Sequence, residues 1–266
     1  MIENYCAGKV ILPNYELNCP FIGRCRPNEY SSKKSEVFSK VCEISYKKVE
    51  IKQGRCNYDD QQVFYGALNC LSSNATTIST IVAETCMDFI INETENLKYL
   101  TVSRWIVARP LNIVILPFSK ASFTQNETFR FAKESFENDL NSIGMRDDFI
   151  DSYTEFLEFM SDIFCKIENK KLYYRISSAF YNFIMDAAKE DMIDFDGLVY
   201  PSANTDAAGA NICLKKELVK NEILYCERVQ MVKGTRSNQN KKQLNFYPAS
   251  NEAFVKADKT FEFKIW

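Results

Sequence analysis

The chain contains no histidine. Imidazole is the side chain whose ordinary pKa lies nearest neutrality. Its absence excludes His general acid–base catalysis, Ser-His-Asp and Cys-His nucleophile systems, and His metal ligands. A catalytic zinc with His ligands goes with it. Any catalysis must rest on carboxylates, Arg, Lys, Tyr, Ser/Thr, Cys or backbone groups. No CxxC pair occurs among the ten cysteines, at 6, 19, 25, 42, 56, 70, 86, 165, 213 and 226, so a structural zinc site has little support. Ten cysteines in 266 residues also fall below the density of a disulfide scaffold. No run approaches the roughly 18 consecutive apolar residues of a membrane helix. The opening MIENYCAGKVILPNYE has no basic segment followed by an apolar stretch. We therefore expect a cytoplasmic protein with reduced thiols, no membrane contact, and chance sequons at Asn74, Asn92 and Asn126. GxGxxG, Walker A, GxSxG and HExxH motifs are all missing. Basic and acidic residues nearly cancel, 33 against 35, so no global basic field favours direct nucleic-acid binding.

What is present is an ordinary globular composition, 46% apolar and 26% charged, enough to build a sizeable core. Residues 1–60 are mixed and polar, interrupted by Pro13, Pro20 and Pro27. Val63-Phe64-Tyr65 predicts a short strand. Thr76 to Ile90 predicts a helix opened by Asn74 or Thr76. Tyr99–Val107 and Leu111–Leu116 predict strands parted by Pro110. Phe149, Tyr153, Phe156, Leu157, Met160, Phe164 and Ile167 recur at helical spacing, after a helix at about 126–142 that Gly144 would stop. A third helix carries Ile176, Phe180, Phe183, Ile184 and Ala187. Strands then return at Gly197–Tyr200, Asn211–Leu214, Ile223–Val232 and Phe261–Ile265, with a basic mobile loop at 234–243. Strands and helices do not alternate strictly, which predicts α+β.

Four local clusters carry candidate chemistry. In Phe21-Ile-Gly-Arg-Cys-Arg26, Arg24 and Arg26 would share one strand face, suited to bidentate contacts with pyrophosphate or carboxylate. Two surface arginines in a loop fit the same letters. In Gly54-Arg-Cys-Asn57 and Val63-Phe-Tyr-Gly-Ala67, a turn at Gly54 would aim Arg55 and Asn57 inward, and Tyr65 would stack on a flat ring or donate its hydroxyl. Core packing also explains Tyr65. Glu84 sits beside the apolar stripe of its helix, so it must be paired, raised in pKa or facing a cleft. A buried Arg–Glu pair is the plain alternative. Asp196-Gly-Leu-Val-Tyr-Pro-Ser202 and Gly209-Ala-Asn-Ile-Cys-Leu214 would bring Ser202 and Asn211 to neighbouring strand ends, or form two ordinary turns. The stripe at 149–167 fits helix packing better than a ligand box.

Taken in order, GRCN, VFYGA, a Glu near the start of a helix, DGLVYPS and AGANICL resemble the RES domain family, best known as toxins of bacterial toxin–antitoxin pairs. The resemblance runs from about 21 to 232, with a helical insertion at about 120–170 and an extension at 233–266, all in one domain. It implies an ADP-ribosyltransferase-like fold, a split and mainly antiparallel β core with surrounding helices. It also implies an enzyme that consumes NAD⁺ at the nicotinamide–ribose bond, by hydrolysis, phosphorolysis or ADP-ribosyl transfer, without a metal. Carried over by motif, Glu84, Arg24 and Ser202 would be catalytic. Arg55, Tyr65, Asn57, Asn211 and Arg26 would bind NAD⁺. Tyr30 stands nearest the family's second aromatic. A protein antitoxin and a homodimer are the partners in prospect. The alternatives are a catalytically silent RES-like module that binds a nucleotide or a protein, and an interaction protein that docks through the 149–167 stripe.

Overall fold

The computed structural model describes residues 13–19, 21–28, 30–31, 34–35, 37–46, 50–68, 76–92, 96–167, 170–190, 194–237 and 244–265. Cys6, Cys70, Asn74, the opening segment 1–12 and residues 238–243 of the expected basic loop lie outside the described residues, as does the side chain of Tyr30. The strands are β1 (Asn14–Leu17), β2 (Phe21–Pro27), β3 (Tyr30–Ser31), β4 (Lys34–Ser35), β5 (Val63–Leu68), β6 (Leu97–Val107), β7 (Leu111–Ile115), β8 (Gly197–Pro201), β9 (Ala210–Lys215), β10 (Leu224–Arg236), β11 (Leu244–Pro248) and β12 (Ala253–Phe254). The helices are α1 (Val41–Ile44), α2 (Thr77–Thr85), α3 (Met87–Ile91), α4 (Lys120–Gln125), α5 (Glu127–Ser142), α6 (Asp147–Cys165), α7 (Lys170–Glu190) and α8 (Glu217–Lys220).

The architecture is α+β. Ten strands make one sheet in the order β1-β7-β8-β9-β5-β2-β6-β10-β11, with β12 also on β10; β3 and β4 form a separate ribbon. Neighbours are antiparallel except β7 and β8. A parallel pair needs a long crossover, and α4 to α7 supply it. Both faces of the central strands are covered, so side chains alternate between two cores. Val114, Leu198, Tyr200 and Cys213 meet Phe136, Leu157, Met160, Phe164 and Ile184 of the helical block. Ile113, Ile115, Val199, Ile212 and Leu214 face the other way, with Phe64 and Trp105. A smaller core of Ile81, Val82, Cys86, Phe89 and Leu100 seats α2 and α3 on the sheet.

Several expectations need correction. The helix expected from Thr76 to Ile90 is two helices. Thr76 caps α2, its Oγ1 accepting from Ser79 N at 3.1 Å. The chain leaves the helical region at Cys86 (φ −122°, ψ 25°), so Glu84 lies in the last turn of α2 rather than near a helix start. Phe149 and Phe156 (α6) and Phe183 (α7) carry apolar periodicity but remain exposed. Residues 234–236, expected in a mobile loop, extend β10 and pair with β11. Phe261–Ile265 is not a strand; it makes one isolated bridge, Ser250 to Ile265. The helical region runs on past 170 through α7. Gly144 takes φ +71° just beyond α5, the left-handed stop its glycine permits.

Candidate active site

α2 crosses the sheet beside the β8–β9 turn. The close approach is set at Gly209, where an added Cβ would lie 2.2 Å from Thr80 Oγ1, so only glycine fits. This brings Glu84, at the end of α2, against residues that follow β8. Glu84 Oε1 accepts from Ser202 Oγ at 2.6 Å and from Asn211 Nδ2 at 2.8 Å. Its Oε2 accepts from Asn204 Nδ2 at 2.9 Å. No cation makes an ion pair with Glu84 among the described residues, so the buried Arg–Glu pair is not formed. A helix C-terminus disfavours negative charge; three neutral donors hold the carboxylate there instead.

Glu84 lines a cavity of about 380 Å³. Arg24, Arg26, Lys52 and Arg55 share its wall, with Glu84 as the one carboxylate among the described lining residues. Tyr65, Tyr174 and Tyr200 add aromatic surface. Of the eight residues singled out from sequence, seven line this cavity: Arg24, Arg26, Arg55, Asn57, Tyr65, Glu84 and Asn211. Ser202 is fully buried behind the Glu84 carboxylate.

The arginines are not equivalent. Arg24 Nε donates to Ile44 O at 2.8 Å, and Nη1 donates to Tyr65 O, so much of this side chain braces β5 and α1. Burial pulls its pKa down to about 9, with Arg26 adding repulsion. Arg26 is also lowered by burial, and its Nε has no hydrogen-bond partner. Arg55 is 7% exposed. Its Nη2 donates to Lys166 O at 2.9 Å and its guanidinium lies 5.3 Å from the Tyr174 ring centroid, while Nη1 has no partner. Desolvated guanidinium groups with unfilled donors favour an anion.

The turn expected at Gly54 is present, closed by Gly54 N–H to Asn57 O at 3.0 Å. Tyr65 Oη accepts from Cys56 N and donates to Asn57 Oδ1, each at 2.8 Å. Asn57 Nδ2 donates to Lys52 O and Tyr58 O. The amide of Asn57 and the hydroxyl of Tyr65 are thus spent on the loop that presents Arg55; the cavity receives the ring of Tyr65. Burial pushes the Tyr65 phenol and the Cys56 thiol well up, and pushes Cys25 up as well. Such thiols stay protonated and make poor nucleophiles.

Sequence reasoning missed Asn204, Tyr174, Tyr200 and Lys52. Asn204 had a signal, a second amide two residues beyond Ser202. Tyr174 had none, because it arrives from a helix more than a hundred residues from Arg55 in sequence. The eight described cysteines are free thiols, and no cluster of metal-ligating side chains occurs among the described residues. No helix among the described residues is long and apolar enough to cross a membrane. Comparison with models of known protein families, with curated proteins and with solved structures finds no match.

Proposed function

We propose that this chain is an NAD⁺-consuming enzyme of RES type, with an ADP-ribosyltransferase-like fold, that cleaves the nicotinamide–ribose bond and acts as the toxin of a toxin–antitoxin pair. The observation that carries the reading is one carboxylate, fixed by three neutral donors, in a cavity whose other charges are positive. Such cleavage builds positive charge on the ribose, as glycoside hydrolysis does. Nicotinamide departs without needing a proton, so the lack of histidine is no obstacle.

In this reading Glu84 stabilises the developing positive charge and binds ribose hydroxyls. Ser202, Asn204 and Asn211 hold it at a fixed place, so little reorganisation accompanies the reaction. Arg26 and Arg55, which keep unfilled donors, grip the pyrophosphate or an incoming phosphate. Arg24 shapes the wall and supplies charge. The rings of Tyr65 and Tyr174 offer stacking surfaces for nicotinamide or ribose.

The test is incubation of the purified chain with NAD⁺, followed by NMR of the products with and without phosphate, with Glu84→Gln as control. Free nicotinamide from the wild type alone supports the enzyme, and phosphate-dependent ADP-ribose 1-phosphate makes it a phosphorylase. Expression in cells should lower NAD⁺ and arrest growth. Intact NAD⁺ in both the tube and the arrested cell refutes the proposal and leaves a nucleotide- or protein-binding module.

A further inference from the structure

α6 carries apolar residues at Phe149, Tyr153, Phe156, Met160 and Ile163, alternating steps of four and three as in a coiled-coil seam. The seam lies along α7. Phe156 meets Phe180 edge-on at 6.0 Å between centroids, and Phe149, Tyr153 and Phe156 stack in a row. Met160 and Ile163 are buried, but one neighbouring helix does not cover the Phe149–Phe156 stretch. Phe149, Phe156 and Phe159 of α6, with Leu172 and Phe183 of α7, remain 44% to 54% exposed. An open apolar groove of this kind on a helical hairpin is half of a four-helix bundle.

The rims of the groove differ in sign. α6 holds six carboxylates and no cation, including exposed Glu155 and Asp162. α7 opens with exposed Lys171 and Arg175. None of these four side chains has an ion-pair partner among the described residues. Consider a twofold axis running along the groove. It lays α6 of one copy antiparallel against α7 of the other, in an isologous contact. The level fixed by Phe156 and Phe180 then places Asp162 of each copy beside Arg175 of the other. Both rims gain a counter-charge, and both phenylalanine rows are covered.

We propose that the chain pairs with a second copy through the α6–α7 groove, forming a four-helix bundle. The proposal stands independently of the reaction assigned to the Glu84 site. The experiment is sedimentation of the full chain over a range of concentrations, with Arg175→Glu and Asp162→Arg as variants. Both positions are exposed, and circular dichroism checks that each variant folds. Wild type should dimerise, and each variant should weaken the dimer by about tenfold or more, because each creates two like-charge contacts. Mixing the two variants should restore association, since the mixed pair has two opposite-charge contacts. A wild type that stays monomeric, a dimer indifferent to both variants, or a mixture that fails to associate overturns the proposal. Recovery in the mixture is an outcome that an unrelated partner or interface would not give.

Discussion

Replacing Glu84 by glutamine keeps the shape of the side chain and removes its charge. In the wild type the carboxylate accepts three hydrogen bonds, from Ser202, Asn204 and Asn211. The amide brings a donor among these donors, and Asn204 can rotate its own amide to accept from it. The local fold should therefore persist, with circular dichroism unchanged. The loss falls on the reaction. A unit charge about 4 Å from a developing positive charge is worth about 4 kcal/mol at an effective dielectric of about 20. That is roughly three decades in rate. Nicotinamide release from NAD⁺ should then fall about 10³-fold in kcat, while KM changes far less because the cavity's arginines are untouched. The assay is continuous NMR at saturating NAD⁺. A folded Glu84→Gln protein that turns over within about tenfold of wild type would refute the assigned role, even if the wild type is an active enzyme.

Arg55→Met should raise KM for NAD⁺ more than it lowers kcat and weaken the dependence of KM on salt, as initial rates at several ionic strengths will read. Phe164→Ala removes a fully buried ring that lies 4.9 Å from Tyr200 between centroids; urea unfolding should show a loss of about 3–5 kcal/mol. Alkali should destabilise the fold. Burial raises Cys165 from 9.0 to about 11, Cys226 from 9.0 to about 12 and Tyr15 from 10.0 to about 12. The folded chain thus holds these protons more tightly than the unfolded one. Their contribution is complete below the unfolded pKa values and is lost as pH climbs from about 9 to about 12. Arg24, pulled down by burial to about 9, acts in the opposite sense across that window but does not outweigh the three together. Calorimetry should show Tm falling above pH 9, and a flat profile to pH 12 would contradict the burial argument.

Much of the fold follows from local pattern. β5, β7, β8 and β9 are short runs of β-branched, aromatic and apolar residues, which the sequence marks as strands without help from tertiary contacts. Glycine at 144 and the spacing of apolar residues in α5 and α6 mark those helices almost to their ends. The errors share a cause. Phe149, Phe156 and Phe183 obey helical periodicity, yet periodicity assigns a face without saying what covers it. Residues 234–236 look polar and loop-like, but pairing with β11 overrides their composition. Thr76 to Ile90 reads as one amphipathic helix, and only packing against the sheet decides the break at Cys86.

The candidate site divides in the same way. The residue types at Arg24, Arg26, Arg55, Glu84, Ser202 and Asn211 were legible because charged and polar groups interrupt apolar runs there. Burying such groups is costly unless they are satisfied or face a cleft. The sequence by itself therefore determined most of the central strands, from β5 to β10, the principal helices, the exclusion of imidazole chemistry and the identity of the polar groups worth following. Tertiary structure decided which of them share a cavity, that Asn204 completes the cradle of Glu84, that Asn57 and much of Arg24 bond to the protein itself, and that Tyr174 reaches Arg55 from the distant helical block. The physical reason is that hydrogen-bond satisfaction and burial belong to neighbours in space, and the β7–β8 crossover brings those neighbours together across long separations in sequence.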